Sequence, residues 1–253
     1  MISRVQLIPA HSLTSSYRKS NSINRWDISV FSAGGAQGNF ITPDLFKSLQ
    51  ELDNIVKINN GTLYITDLFR TWDKQFNVRK LYETGIRNVY AAKPGHSFHN
   101  AGRAVDISIS ELNFSDIPKK EWLDKFWNLA IPLGFRPIID NPDMNKSEAW
   151  HFDYPGDDWS EAYNNLSYST VAKCCVLDVG QWFGSPESTS IAMFIQAQLI
   201  RLGFYDIGDV DGIIGYKTRT ALLNLNLGNG RPALQAESLV RLQRADGAER
   251  LVV

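Results

Sequence analysis

The chain has 253 residues, with 26 Lys and Arg against 27 Asp and Glu, a formal net charge of −1, 43% hydrophobic and 21% charged residues. That composition excludes wholesale disorder, and the balanced charge argues against a nucleic-acid binder. No apolar run approaches the ~20 residues of a membrane-spanning helix, so no integral membrane segment is expected. At about 150 residues per domain, the length allows one large domain or two unequal ones. The N-terminus lacks a long apolar region and a small-residue cleavage site, so no secretory signal is read there. Residues 1–38 match no motif.

From residue 42 the elements follow in order. Thr42–Asn54 opens with an N-cap candidate and Pro43, and Leu45, Leu49 and Leu52 then share one helical face. Thr62–Leu68 is a β-branched and aromatic strand candidate. Asp73–Thr84 reads as a helix ending at Gly85. Arg103–Ser110 reads as a strand. Lys119 to about Ala130 is an amphipathic helix stopped by Pro132 and Gly134. Trp150–Tyr154 is a short strand. Helices and strands in this irregular order give an α+β class rather than a βαβ array. The adjacent cysteines, Cys174 and Cys175, cannot staple distant segments and cannot alone build a Cys-rich zinc site. The stretch KCCVLDVGQWFGSPE shows no sustained period and reads as a linker or packed connector. The expected layout is therefore a domain over 1–168, a connector over 169–186, and a small helical domain over 187–253.

Two segments carry chemistry. In SFHNAGRAVDIS, strand alternation puts Val105 and Ile107 on a packing face and Asp106 on the other, beside small neighbours. His99 precedes Gly102, whose freedom permits a turn that carries His99 back over Asp106. In SEAWHFDY, Trp150, Phe152 and Tyr154 share one face, His151 and Asp153 the other. Glu148 has the wrong parity for that face and is expected in the turn before the strand. Each of these residues alone is more often a surface or hydrogen-bonded group. Together, His99, Asp106 and His151 offer the imidazole and carboxylate ligands that suit zinc with one open position. Bound zinc lowers the pKa of its water to about 7, and a free carboxylate such as Glu148 can take the water's proton and pass it to a leaving amine.

Ser97, His99, Gly102, Ala104 and Asp106 fit an S-x-H-x-x-G-x-A-x-D pattern, and Glu148, Trp150 and His151 fit E-x-W-H. On these residues the chain resembles the zinc D-Ala-D-Ala carboxypeptidase and endopeptidase family, the VanY-like peptidases, over roughly residues 40–155. The resemblance implies one zinc ion held by His99, Asp106 and His151, Glu148 as catalytic base, and the small α+β fold shared with the Hedgehog signalling domain. The stretch PGHSFHNAGRAVD especially resembles the VanY and phage L-alanyl-D-glutamate endopeptidase branch. Arg70 and Gln75 resemble the family's arginine–glutamine segment. Arg70 is the candidate clamp for a substrate carboxylate or oxyanion. Asp67-Leu68-Phe69 departs from the family's small-residue turn before that arginine. Ser97 and Asp153 are candidates for contacts around the metal ligands; His96 is not made a ligand.

Downstream, Ser188–Gly203 has helical spacing through Ile191, Phe194, Ile195, Leu199 and Leu202. A second helix is expected from about Tyr216 and a third over Pro232–Arg244. DVDG between them does not make an EF-hand: with Gly212 sixth, Ile207 and Thr218 take positions that require carboxylates. The stretch DVDGIIGYKTRTAL is instead similar to the peptidoglycan-binding type 1 domain, and the resemblance implies wall-binding roles for Asp211, Gly212, Gly215, Lys217 and Thr218. Leu225-Asn226 replaces that domain's usual Phe-Gln.

These readings converge on zinc-dependent hydrolysis of amide bonds in peptidoglycan stem peptides, with endopeptidase cleavage at L-Ala-D-Glu favoured. A D,D- or L,D-carboxypeptidase trimming terminal D-Ala is the alternative within the class. A non-catalytic peptidoglycan-binding protein and a metal-dependent signalling module are the alternatives outside it. The expected species is a monomer that reaches the wall without a visible signal peptide. A phage lysin released through a holin-type pore is preferred over an effector carried by a secretion machinery or a host enzyme.

Overall fold

The computed structural model describes residues 5–9, 40–182 and 187–226. The chain divides into two compact units. The first takes the described residues within Leu7–Pro94 and Phe98–Gly156, the second those within Met1–Gln6, Gly95–Ser97 and Asp157–Val253.

The first unit is α+β, as expected. A short strand β1 (Ile8–Pro9) pairs antiparallel with β2 (Phe40–Ile41), Ile8 opposite Ile41. Helix α1 (Pro43–Ile58) follows, with Pro43 in its first turn, where its missing N–H costs nothing. Its Leu45, Leu49, Leu52 and Val56 are all buried, which is the expected leucine face extended by one turn. Strand β3 (Ile65–Asp67) leads to α2 (Trp72–Glu83), capped by the Thr71 hydroxyl accepting from the Lys74 N–H at 3.3 Å. Strand β4 (Ala104–Ile107), helix α3 (Trp122–Ala130), strand β5 (Arg136–Pro137) and strand β6 (His151–Asp153) complete the unit.

The strands form one four-stranded antiparallel sheet in the order β3-β4-β6-β5. The core lies against one face of it. Phe152 from β6 meets Phe126 and Trp127 of α3 edge-on, with ring centroids 5.2 and 6.5 Å apart, a preferred aromatic geometry. Arg103, fully inside, donates to the Asp44 carboxylate at 2.7 Å and to the Pro155 carbonyl at 3.3 Å, tying α1 to the end of the central strand pair where β4 begins and β6 finishes. The strands are shorter than the sequence suggests: a register shift interrupts β3 between Ile65 and Asp67, and β4 gives way to a 3-10 turn at Ile109–Glu111.

The second unit, among the described residues, is helical: α4 (Gly156–Asn165), α5 (Tyr168–Asp178), α6 (Glu187–Arg201) and α7 (Tyr216–Asn226). Residues 169–186, read as a connector, hold most of α5. Its Val171, Ala172, Cys174, Cys175, Val176, Leu177 and Asp178 are buried. A helix buried nearly all round has no amphipathic stripe, which is why periodicity misses it. Two buried polar contacts join the helices of this unit: Gln198 donates to Asp178 at 3.0 Å and Arg201 to Asp158 at 2.5 Å. Both cysteines are buried and free, and burial pushes the Cys174 thiol up, away from the reactive thiolate. The helix expected over Pro232–Arg244 lies outside the described residues. Among the described residues no helix is long and apolar enough to cross a membrane.

Candidate functional site

Strand pairing assembles the site. Asp106 lies opposite Asp67 on one side and His151 on the other, and Ala104 lies opposite Asp153. Alternation sends Val105, Ile107 and Phe152 into the core and leaves Asp106, His151 and Asp153 on the other face, as the sequence predicts. His99 arrives from a 3-10 turn, Phe98–Ala101, closed by Gly102 at φ +62°. A Cβ on Gly102 would stand 2.8 Å from the Leu7 side chain and 3.2 Å from the Phe40 carbonyl, so both the backbone conformation and the space require glycine.

Three ligating atoms meet. His99 Nε2 is 3.2 Å from Asp106 Oδ1 and 3.1 Å from His151 Nδ1, and His151 Nδ1 is 2.8 Å from Asp106 Oδ1. The outer ring nitrogens are engaged elsewhere: His99 Nδ1 donates to the Leu68 carbonyl at 2.5 Å, His151 Nε2 to Asp153 Oδ1 at 2.9 Å. Those outer bonds fix the tautomers and turn a lone pair of each inner nitrogen toward one point. Tetrahedral zinc with bonds near 2.0–2.1 Å separates its ligand atoms by about 3.3 Å, close to the spacing found. Three acceptors held this close repel one another unless a cation lies among them, so the donor set fits a divalent metal. All three residues are nearly inaccessible, His99 at 2%, His151 at 5% and Asp106 at 8% exposure.

Electrostatics make the same demand. Burial pushes the Asp106 carboxyl up, but His99 and His151 outweigh it and hold the group well below the usual carboxylate range. Burial disfavours a charged His151, yet Asp153 and Asp106 outweigh it and raise its pKa to about 10 in the metal-free chain. A proton on His151 and a divalent cation therefore compete for the same ring nitrogen.

Glu148 sits in the turn before β6, where parity put it. Its φ of +66° is uncommon for a residue with a side chain, and its carbonyl accepts from the His151 N–H at 3.0 Å. Its Oε1 is buried without a hydrogen-bond partner. Burial raises its pKa above the ordinary value, with the negative charge of Asp106 adding to the effect and His151, Arg87 and His99 opposing it. An unpaired, half-buried carboxylate with a raised pKa is suited to taking and returning a proton.

Arg70 is more constrained than the sequence suggests. Asp67 Oδ2 accepts from its Nε at 3.2 Å and its Nη2 at 2.7 Å, and Gln75 Oε1 accepts from its Nη1 at 3.0 Å. Nη2 also stands 3.7 Å from Asp106 Oδ2. Gln75 is itself fixed by donating to the Ala92 carbonyl at 2.7 Å, so it orients Arg70. Asn100 donates to the Arg70 carbonyl at 2.5 Å, a support the sequence reading did not single out. Ser97 is buried just before the His99 turn. His96 Nδ1 lies 2.7 Å from the Ser169 hydroxyl and is outside the ligand trio.

A cleft of ≈ 790 Å³ opens beside these groups, lined by Arg70, Lys74, Arg87, Asp106, Ser108 and Trp150 among others. Arg87 and Lys74 carry no motif and were not foreseen.

In the second unit, Asp211 Oδ1 accepts from Gln196 at 2.9 Å and from the Ile213 N–H at 2.8 Å, while Gln196 accepts from the Gly212 N–H at 2.8 Å. Those bonds hold the Asp211 carboxyl below its usual range. Thr218 is buried at 1% exposure. Asp211 and Gly212 thus build the loop, and Thr218 is buried on α7. Lys217 is exposed, as are Ile213 and Tyr216 beside it, and Gly215 has open space around it.

Residues 38–157 match the VanY family, described as D-alanyl-D-alanine carboxypeptidase. Similar solved structures include VanYB in complex with D-alanine-D-alanine, at 20% identity over 53% of this chain and 82% of that one, with a TM-score of 0.39. Another is vancomycin resistance D,D-pentapeptidase VanY in complex with Zn(II), at 19% identity over 68% and 96% with a TM-score of 0.38. A third is the LdcB LD-carboxypeptidase, at 19% over 67% and 83% with a TM-score of 0.39. No curated relative matches the chain.

Proposed function

From the match of residues 38–157 to the VanY family, described as D-alanyl-D-alanine carboxypeptidase, we propose that this chain is a zinc-dependent carboxypeptidase that trims terminal D-Ala from peptidoglycan stem peptides. The observation that carries the reading is the convergence of His99 Nε2, Asp106 Oδ1 and His151 Nδ1, all within 3.2 Å of one another. Glu148, with its orphaned buried oxygen, stands in their electrostatic reach. When bound there, zinc supplies Lewis acidity toward a carbonyl oxygen and a water.

The protein's own residues do the rest. The Leu68 carbonyl and the Asp153 carboxylate fix the His99 and His151 rings so that His99 Nε2 and His151 Nδ1 face Asp106. Glu148 takes a proton from the attacking water and returns it to the leaving amine. Arg70, oriented by Asp67 and Gln75, adds fixed positive charge next to Asp106.

Terminal trimming takes precedence over the L-Ala-D-Glu endopeptidase cleavage expected from the PGHSFHNAG stretch. The matched family is described by carboxypeptidase activity, and nothing in the cleft adds weight to internal cleavage. The second unit is proposed to hold the wall through the exposed neighbourhood of Tyr216 and Lys217. Such tethering raises the local concentration of an insoluble substrate.

The test is digestion of purified peptidoglycan and of soluble stem pentapeptide, with and without a chelator, read by mass spectrometry. Chelator-sensitive loss of one alanine supports the proposal. Release of longer peptides restores the endopeptidase reading. No release from a zinc-loaded protein overturns both.

A further inference from the structure

The cleft beside the ligand trio holds more positive charge than the catalytic roles above use. Arg70, Lys74, Arg87 and Lys119 all line it. Arg70 is committed, its Nε and Nη2 to Asp67 and its Nη1 to Gln75. The Lys119 ammonium lies 5.5 Å over the Trp122 ring. The Arg87 guanidinium makes no hydrogen bond or ion pair among the described residues. Its backbone is nevertheless anchored, the N–H donating to the Leu81 carbonyl at 3.0 Å after the end of α2. It is also near enough to Glu148 to draw that carboxyl's pKa down, against burial.

An unpaired cation in a peptidase cleft suits a substrate that brings its own carboxylate. A carboxypeptidase substrate carries one on the residue just past the scissile bond. Consecutive Cα atoms are about 3.8 Å apart, so the group that reads that carboxylate must lie close to the base. Arg87 meets this condition: it lines the cleft together with Asp106 and lies within electrostatic reach of Glu148. A guanidinium also matches a carboxylate edge-on, with two parallel hydrogen bonds.

We propose that Arg87, rather than Arg70, is the specificity-determining residue that binds the terminal carboxylate of the leaving amino acid. The inference rests on the carboxypeptidase reading above and names the part of the site that would make the enzyme an exopeptidase. Asp67 gives the complementary reason, because it occupies the edge of Arg70 that would otherwise face a carboxylate.

The experiment compares peptides ending in D-Ala-D-Ala as the free acid and as the C-terminal amide, on the zinc-loaded full chain. The wild type is expected to prefer the acid by about 10- to 100-fold in kcat/KM. In Arg87→Ala that ratio collapses toward one, through a raised KM for the acid, and Arg87→Lys recovers part of it. Lys80→Ala, an exposed charge change outside the cleft, keeps the wild-type ratio. Zinc content measured on each variant confirms an intact site. A second readout is independent of turnover: Trp150 lines the cleft, so its fluorescence follows titration of metal-free protein with D-Ala-D-Ala as acid or amide. Acid-selective binding lost in Arg87→Ala supports the assignment even if no bond is cleaved, in which case the carboxypeptidase reading alone fails. An unchanged acid preference in folded, zinc-loaded Arg87→Ala overturns the proposal, as does a wild type that binds and cleaves acid and amide alike.

Discussion

Asp67 Oδ2 accepts from two nitrogens of Arg70, Nε at 3.2 Å and Nη2 at 2.7 Å. The pair is largely shielded, with side-chain exposures of 12% for Arg70 and 17% for Asp67. Burial alone would lower the Arg70 pKa, but Asp67 and then Asp106 outweigh it and keep the guanidinium charged. Removing one partner of a buried pair leaves the other uncompensated, at a cost of about 3–5 kcal/mol in sheltered sites. Arg70→Ala, which strands Asp67 beside Asp106, is expected to destabilise more than Asp67→Asn. In a double-mutant cycle by urea unfolding, the two changes should couple by about 1–3 kcal/mol. Additive effects would show that the pair is incidental.

The ligand trio makes a prediction about protons. Burial lowers the His151 pKa, but Asp153 and Asp106 outweigh it and raise it to about 10 in the metal-free chain. Its folded value lies above the ordinary 6.5. The stabilisation is therefore fully present below the ordinary value and is lost as pH rises through about 10. Zinc must displace that proton, so binding at pH 7 should release close to one proton, and affinity should climb with pH across the same window. Calorimetry in buffers of different ionisation enthalpy counts the proton. Asp153→Asn removes the anion that orients the His151 ring and should weaken zinc about 10- to 100-fold while keeping one ion per chain. Loss of stoichiometric binding altogether would make Asp153 more than a support.

The chemistry of the site was more legible in the sequence than its surroundings. Two-residue alternation fixes which side of a strand a residue takes, so Asp106, His151 and the off-parity Glu148 could be placed from spacing alone. Asp67 could be flagged only as a departure from a family pattern. That it captures Arg70 depends on a loop conformation that local patterning does not encode. Arg87 carries no motif, and it joins the cleft only because the chain after α2 folds back with the Arg87 N–H on Leu81. Helix α5 was missed for the opposite reason: its residues are apolar on nearly every side, and a search for one apolar stripe passes over it.

Gly212 separates loop building from ligand contact in the second unit. It has φ +83°, and a Cβ there would collide with the Thr189 side chain and stand 2.9 Å from its carbonyl. Gly212→Ala should therefore cost about 1–3 kcal/mol through strain and displacement. Lys217→Ala, at an exposed position, should stay within about 0.5 kcal/mol of wild type in stability. If the module holds the wall, Lys217→Ala weakens cosedimentation with purified sacculi while thermal unfolding is unchanged. Retained binding in Lys217→Ala would remove that residue from the proposed surface.

Glu148 brings function and stability into opposition. Burial raises its pKa, Asp106 adds to that, and His151 partly opposes it. Because this carboxyl's folded value lies above its ordinary 4.5, the folded state holds the proton more tightly than the unfolded chain. The associated stability is fully present below the ordinary value and is lost as pH rises through the folded one. At neutral pH the ionised group is thus a net cost, with Oε1 buried and unpaired. Glu148→Gln keeps the shape and removes the charge. It should raise neutral-pH stability by about 1 kcal/mol and flatten the pH dependence above the carboxylate range. The same change deletes the proton acceptor and should lower kcat by about 10²–10⁴-fold with zinc retained. Glu148→Gly tests the backbone separately: at φ +66° glycine relieves strain, so it too should be inactive, and its stability gain should persist at acid pH, where the charge effect has vanished. A Glu148→Gln enzyme that kept full hydrolysis would move the base elsewhere. One that was less stable at neutral pH would mean the carboxylate's attraction to His151 and Arg87 exceeds its burial cost.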